Sequence, residues 1–223
     1  MELREFMSVR RAYNLVRQET DTSRRLTFEE FAILCRLDII DEPMKTSAIA
    51  EYQGALRPTM THRTNHLAKL GYIDRVEGLV DRRNIVCTIS DEGREEVRRL
   101  AELTKAQIIA GQPLSRTTVD RVCKYVDAMG SMYCTAGEMV LLALIETDEV
   151  ATITTLVDRL GLLQPTVSMS VSTLAENGLV QKESLENVSS RSTCIRLTDE
   201  GKAVAQGLVD RIATIIVRRK PRL

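Results

Sequence analysis

Tryptophan is missing from this chain of 223 residues, and aromatic residues make up only 4% of it. Its cores must therefore be aliphatic, built from Leu, Ile, Val, Ala and Met, and there is little to stack on an aromatic ligand. Histidine occurs only as His62 and His66, and the five cysteines (Cys35, Cys87, Cys123, Cys134, Cys194) contain no CxxC pair, which excludes zinc-finger spacing. Cysteines scattered in this way are expected to be free, buried thiols in a reducing cytosol, with a redox-sensing role left open because nothing local singles one out. The longest apolar runs, such as Met139–Ile145, fall far short of a membrane span, and no leader segment opens the chain, so a cytoplasmic protein is expected. Charge of one sign is also lacking. Residues 1–110 carry 18 basic and 18 acidic side chains and residues 111–223 carry 13 of each, so the formal net charge is zero. Without a global basic footprint, a case for nucleic acid has to rest on local charge. No nucleophile is placed beside a base in a recognisable motif and no phosphate-binding glycine loop occurs, so neither catalysis nor a cofactor or metal is expected.

What is present is a core-forming chain that repeats itself. Apolar residues make up 43%, and the length suits two domains of roughly 100 residues. Residues 57–73, RPTMTHRTNHLAKLGYI, align with residues 164–180, QPTVSMSVSTLAENGLV. TISDEG aligns with RLTDEG downstream, and LTFEEFAILCRL with CTAGEMVLLALI upstream. The matches keep their order over roughly 85 residues, which makes coincidence a poor explanation.

Both repeats predict the same elements. Thr27 with Glu30, and Thr135 with Glu138, have capping-box spacing before an apolar run. A short helix follows (Thr46–Gln53; Thr152–Leu160), then a turn at Gly54 or Gly161. A further helix has Pro58 or Pro165 in its first turn and ends at Gly71 or Gly178. Alternating β-branched residues then predict a two-stranded hairpin, Tyr72–Glu77 with Asn84–Ile89 and Leu179–Ser184 with Ser192–Leu197. Ser90 and Thr198 cap long helices (Asp91–Ala110; Asp199–Val217) with acids in their first turns. The expected fold is therefore mainly α with small β-hairpin wings: two tandem winged helix-turn-helix modules, 1–110 and 111–223. Two more helices, Glu2–Glu19 and Thr117–Met132, carry apolar positions at helical spacing and read as packing surfaces for another module.

The string Leu67-x-x-Leu70-Gly71-Tyr72-Ile73-x-Arg75, then Asp81-Arg82-Arg83, then Thr88-Ile89-Ser90-Asp91-Glu92-Gly93, resembles the MarR family of bacterial transcription regulators. The first repeat matches nearly throughout. The second keeps the frame (Leu174, Gly178, Leu179, Val180, Leu197, Thr198, Gly201) but has Ser189-Ser190-Arg191 where the family's Asp-x-Arg wing would stand. The resemblance implies a fused form of an ordinarily homodimeric regulator, as in two-repeat SarA-type proteins. One chain would form a pseudo-dimer through the extra and post-wing helices. It also implies a possible small-molecule effector that releases DNA, of a kind the sequence does not identify.

The residues themselves make a local case for double-stranded DNA. With Met60, Thr64, Leu67 and Leu70 turned inward, the first recognition helix turns out Arg57, Thr59, Thr61, His62, Arg63, Asn65, His66 and Lys69, groups that read base edges or phosphates. No acid lies between Thr59 and Gly71, and residues 57–83 hold six basic and three acidic side chains. At the wing, Arg82 and Arg83 suit an adjacent minor groove, and Asp81 would orient Arg75 or Arg83. The second module is weaker. Gln164, Thr166, Ser168, Met169, Ser170, Ser172 and Thr173 face outward over inward Val167, Val171 and Leu174, the wing keeps only Arg191, and residues 164–196 hold three basic and three acidic residues. Either this module docks loosely through hydroxyls or it has become structural. Loose docking would give an asymmetric target, one well-read half-site and one degenerate half-site about a helical turn away. The competing reading is a tandem winged-helix scaffold for a protein partner, which would account for the charge removed from repeat two. The basic C-terminal tail reads as a solvated end, and further homodimerisation stays open.

Overall fold

A computed structural model of the chain describes residues 1–77, 85–147, 150–184 and 193–218. The fold is mainly helical with small antiparallel sheets, as expected for winged helices. After α1 (Leu3–Glu19), the first module runs α2 (Phe28–Ile40), β1 (Met44–Lys45), α3 (Thr46–Gln53), α4 (Arg57–Lys69), β2 (Ile73–Glu77), β3 (Ile85–Ile89) and α5 (Asp91–Ala106). Following α6 (Val119–Met129), the same order returns as α7 (Ala136–Thr147), β4 (Ala151–Thr152), α8 (Ile153–Leu160), α9 (Gln164–Glu176), β5 (Val180–Ser184), β6 (Thr193–Leu197) and α10 (Asp199–Ala213).

The chain falls into two compact units. One comprises residues 16–133 with 215–223, the other residues 1–15 with 134–214. This partition differs from the expected boundaries at 1–110 and 111–223. Residues 111–133, including α6, pack with the first winged module, where α6 lies on α2 and α5. Residues 1–15 pack with the second module. Arg11 Nε donates to the carbonyl oxygen of Asp158 (2.7 Å) and Asn14 Nδ2 to that of Leu160 (2.8 Å). These acceptors lie in the last turn of α8, where a helix leaves carbonyls without intrahelical partners. Periodicity marks an apolar face on each extra helix but not the element that covers it, so the exchange is not written in the local pattern.

Each module is built around a buried first helix. In α2, Thr27 and Glu30 close the capping box from both sides, with Glu30 N donating to Thr27 Oγ1 (3.2 Å) and Thr27 N to Glu30 Oε2 (2.7 Å). Phe28, Phe31, Ala32, Ile33, Leu34, Cys35 and Leu37 are buried from there on. Thr135 and Glu138 make the same bonds before α7. The hairpins gain a third strand in each case, β1 beside β3 and β4 beside β6. Strands of two residues are too short for alternation to announce them, and so the expected hairpins become three-stranded sheets. All five cysteines are free and buried. No helix among the described residues is long and apolar enough to cross a membrane.

The joint between recognition helix, wing and following helix is the same in both modules. Gly71 (φ +80°) and Gly178 (φ +73°) take the left-handed conformation that ends α4 and α9. Ser90 Oγ donates to the Gly71 carbonyl (2.6 Å) and accepts from Gly93 N (3.0 Å). Thr198 Oγ1 donates to Gly178 (2.7 Å) and accepts from Gly201 N (3.0 Å). A Cβ at Gly93 or Gly201 would overlap the backbone carbonyl oxygen of Tyr72 or Leu179. These glycines are therefore required by close approach rather than by dihedral freedom. Gly93→Ala and Gly201→Ala are each expected to destabilise the protein by about 1–3 kcal/mol in urea denaturation, as overpacking does. Losses below about 0.5 kcal/mol would show that the joint relaxes freely.

Candidate nucleic-acid interface

Helices α3 and α4, joined through Gly54 (φ +60°), and α8 and α9, joined through Gly161 (φ +58°), are the two helix-turn-helix pairs. Met60, Thr64 and Leu67 bury one stripe of α4, and Val167, Val171 and Leu174 the equivalent stripe of α9, as their spacing predicts. Neither α4 nor α9 has a side-chain N-cap, which leaves the N–H groups of each first turn without a capping side chain.

The outward face of α4 is narrower than expected. Arg57, Thr59, Thr61, His62, Asn65 and Lys69 are exposed. Arg63 and His66 are half-buried and turn back onto their own module. Arg63 Nη1 donates to Gln53 Oε1 (3.0 Å), while Gln53 Nε2 donates to the Glu29 carbonyl (3.0 Å). His66 Nδ1 lies 2.7 Å from Oε1 of Glu30, the carboxylate whose other oxygen closes the capping box of α2. The outward placement of these two side chains is thus corrected. In this structure they fix the recognition helix to α2 and α3 instead of standing free. Gln53 carried the available signal: it is a buried polar residue where the second repeat has the apolar Leu160.

A polar relay continues from there to α6. Tyr52 donates its hydroxyl to the Asp127 carbonyl (3.2 Å). Arg36 lies over the Tyr52 ring, 3.8 Å from its centroid, and reaches Asp127 Oδ2 at 3.4 Å. Burial pushes the Tyr52 hydroxyl up to about 12, with the Asp127 charge adding to the effect. Burial also raises the Asp127 carboxyl above its ordinary range, because desolvation outweighs the attraction of Arg36. Sequence reasoning did not find these residues, since they come together only in the folded unit.

Arg75 is half-buried on β2 opposite Cys87, whose thiol is raised by burial and lowered by Thr46 and Arg75. Asp81, Arg82, Arg83 and Arg191 lie outside the described residues. On α9, Gln164 and Thr166 are exposed and Ser168 and Ser170 half-buried. At its flank, Lys182 Nζ donates to Ser172 Oγ (3.1 Å).

Residues 137–184, from α7 through β5, match the family model of the IclR helix-turn-helix domain. Among solved structures, the transcriptional regulator BldR from Sulfolobus solfataricus matches with 22% identity and a TM-score of 0.34, over 37% of this chain and 58% of that one. No curated protein matches the chain.

Two expectations follow from the geometry. Arg63→Ala should lower stability by about 1 kcal/mol, the worth of a hydrogen bond, while His62→Ala and Asn65→Ala stay within about 0.5 kcal/mol of the parent. Equal effects of all three in urea denaturation would show that the Arg63–Gln53 bond holds nothing. Asp127 binds its proton more tightly folded than unfolded, so its contribution to stability falls as pH rises from the ordinary carboxylate range through its raised value. Asp127→Asn removes that slope, and its stability relative to the parent should improve as pH rises above the ordinary carboxylate range. A difference that is flat or reversed over that rise contradicts the assignment.

Proposed function

We propose that this chain, a winged helix-turn-helix DNA-binding transcription regulator and not an enzyme, reads an asymmetric stretch of double-stranded DNA with α4 as its stronger reader. The observation that carries the reading is the exposed face of α4. Arg57, Thr59, Thr61, His62, Asn65 and Lys69 stand in solvent with no acid among them, on a helix whose opposite stripe is buried. Arg57 and Thr59 sit in the open first turn, suited to phosphate and base edge. His62 and Asn65 lie further along, suited to the major groove, and Lys69 to the backbone. Arg63 and His66 act first as braces, and Arg63 becomes available to DNA if it leaves Gln53. In the wing, Arg82 and Arg83 supply minor-groove charge, with Asp81 and Arg75 positioning them. Gln164, Thr166, Ser168, Ser170 and Arg191 form the weaker second reader.

The Asp-Arg-Arg string and its frame support placing the chain nearest the MarR family, with its two modules acting as a single-chain pseudo-dimer. A small-molecule effector and cytoplasmic residence belong to the same reading. The competing reading, a scaffold for a protein partner, draws on α9, which carries no Arg or Lys.

The test is fluorescence anisotropy on duplex DNA flanking the chain's own gene and on a scrambled duplex, across a salt series. The flanking duplex should bind more tightly, with affinity falling steeply as salt rises. Arg82→Ala/Arg83→Ala should weaken binding by about 1–3 kcal/mol for each guanidinium that no longer reaches the DNA. Equal, feeble binding of both duplexes, unchanged in the variant, overturns the reading for that locus and favours the scaffold.

A further inference from the structure

We infer that Met169 reads the C5-methyl group of thymine, so that the second half-site is defined by an A·T pair; this rests on the DNA-reading function proposed above. Met169 is 72% exposed in the middle of α9. It shares its face with Thr166 and Thr173, both exposed, at spacings of three and four residues. Singly exposed apolar side chains are ordinary on a protein surface; what marks Met169 is its place at the centre of the outward line of α9, between Thr166 and Thr173.

The comparison with the first module isolates the residue. Leu56 and Leu163, before α4 and α9, are exposed in both modules and belong to the shared frame. Met169 instead stands where the aligned first repeat has the exposed His62, while Ser170, Ser172 and Thr173 stand where it has Arg63, Asn65 and His66. Both the exposed nitrogen-bearing side chains in the middle of the helix, His62 and Asn65, and the two bracing ones, Arg63 and His66, are replaced by a hydroxyl or a thioether. A helix without Arg, Lys or Asn offers no bidentate partner for guanine and only Gln164 for adenine. Its outward line carries methyl groups: Cγ2 of Thr166, Cε of Met169 and Cγ2 of Thr173. The thymine methyl is the apolar group that a base edge presents in the major groove. Methionine, long and unbranched, can reach it without fixing a single approach. The charge removed from the second module is on this account an exchange of hydrogen-bond readout for methyl readout.

The experiment begins by selecting duplexes from a random library with the full-length protein, then replaces each selected thymine in turn by deoxyuridine. That change deletes the methyl and leaves pairing intact. Affinities are measured for the parent, Met169→Ala and His62→Ala, with thermal melts to check that all three are folded. One or two positions in a single half-site should weaken the parent about four-fold, the worth of one buried methyl. At the same positions Met169→Ala should show less than about a two-fold effect, and His62→Ala the full effect. A deoxyuridine effect of equal size in parent and Met169→Ala, or none at any position, overturns the inference while selected sequences leave the regulator reading standing. If the library yields no enriched sequence, both fall together.

Discussion

One side-chain oxygen in each module serves two backbone groups at once, and the rest of the winged frame depends on it. Ser90 accepts from the N–H of Gly93 and donates to the carbonyl of Gly71, and Thr198 does the same with Gly201 and Gly178. The main-chain N–H of each also donates to the first wing residue, Tyr72 or Leu179, at 3.1 Å. End of recognition helix, start of wing and start of the long following helix are thus held within a few bonds of one another. A hydroxyl is needed because only it can donate and accept through one atom. Glycine is needed opposite because a Cβ would occupy the volume of a carbonyl. With that joint fixed, the wing has a defined place relative to the recognition helix, which is the geometry a major-groove and minor-groove reader requires.

Around this common joint the two modules hold their recognition helices by different physics. In the first, polar bonds hold it: Arg63 to Gln53, Gln53 to the α2 backbone, and His66 to Glu30. In the second, Leu160 occupies the place of Gln53 and is fully buried, and the last turn of α8 is satisfied from outside by Arg11 and Asn14. The polar module commits two of its basic or imidazole side chains to internal bracing, so the exposed polar face of α4 is smaller than its composition suggests. In the second module the basic side chains that brace come from outside α9, Lys182 on β5 reaching Ser172 and Arg11 on α1 reaching α8, and Met169 on α9 stays in the open.

Much of this was legible in the residues. Capping boxes, left-handed glycines and alternating strands are local signals, and local backbone chemistry answers them where they stand. The buried stripes of α4 and α9 followed from spacing alone. Four things were not legible. Strands β1 and β4 are two residues long, below any period. Helix α1 adjoins the first module in sequence, but its side chains satisfy carbonyls of α8 about 150 residues away. Arg63 and His66 lie at the edge of the buried stripe, where a side chain can turn either way, and the partners that decide the matter come from α2 and α3. For the same reason the relay from Asp127 through Arg36 and Tyr52 leaves no trace in any single segment.

A neutral chain that binds DNA is under a constraint that basic regulators escape. Counterion release supplies most of non-specific affinity and scales with the phosphates neutralised. Here residues 57–83 hold six basic against three acidic side chains, within a formal net charge of zero. The general pull toward any duplex is correspondingly small. A larger share of the binding energy must then come from contacts that distinguish sequences, which is the quantity that decides occupancy among many competing sites. Balanced charge, a narrowed exposed face on α4 and an α9 without Arg or Lys all limit the non-specific attraction to a duplex.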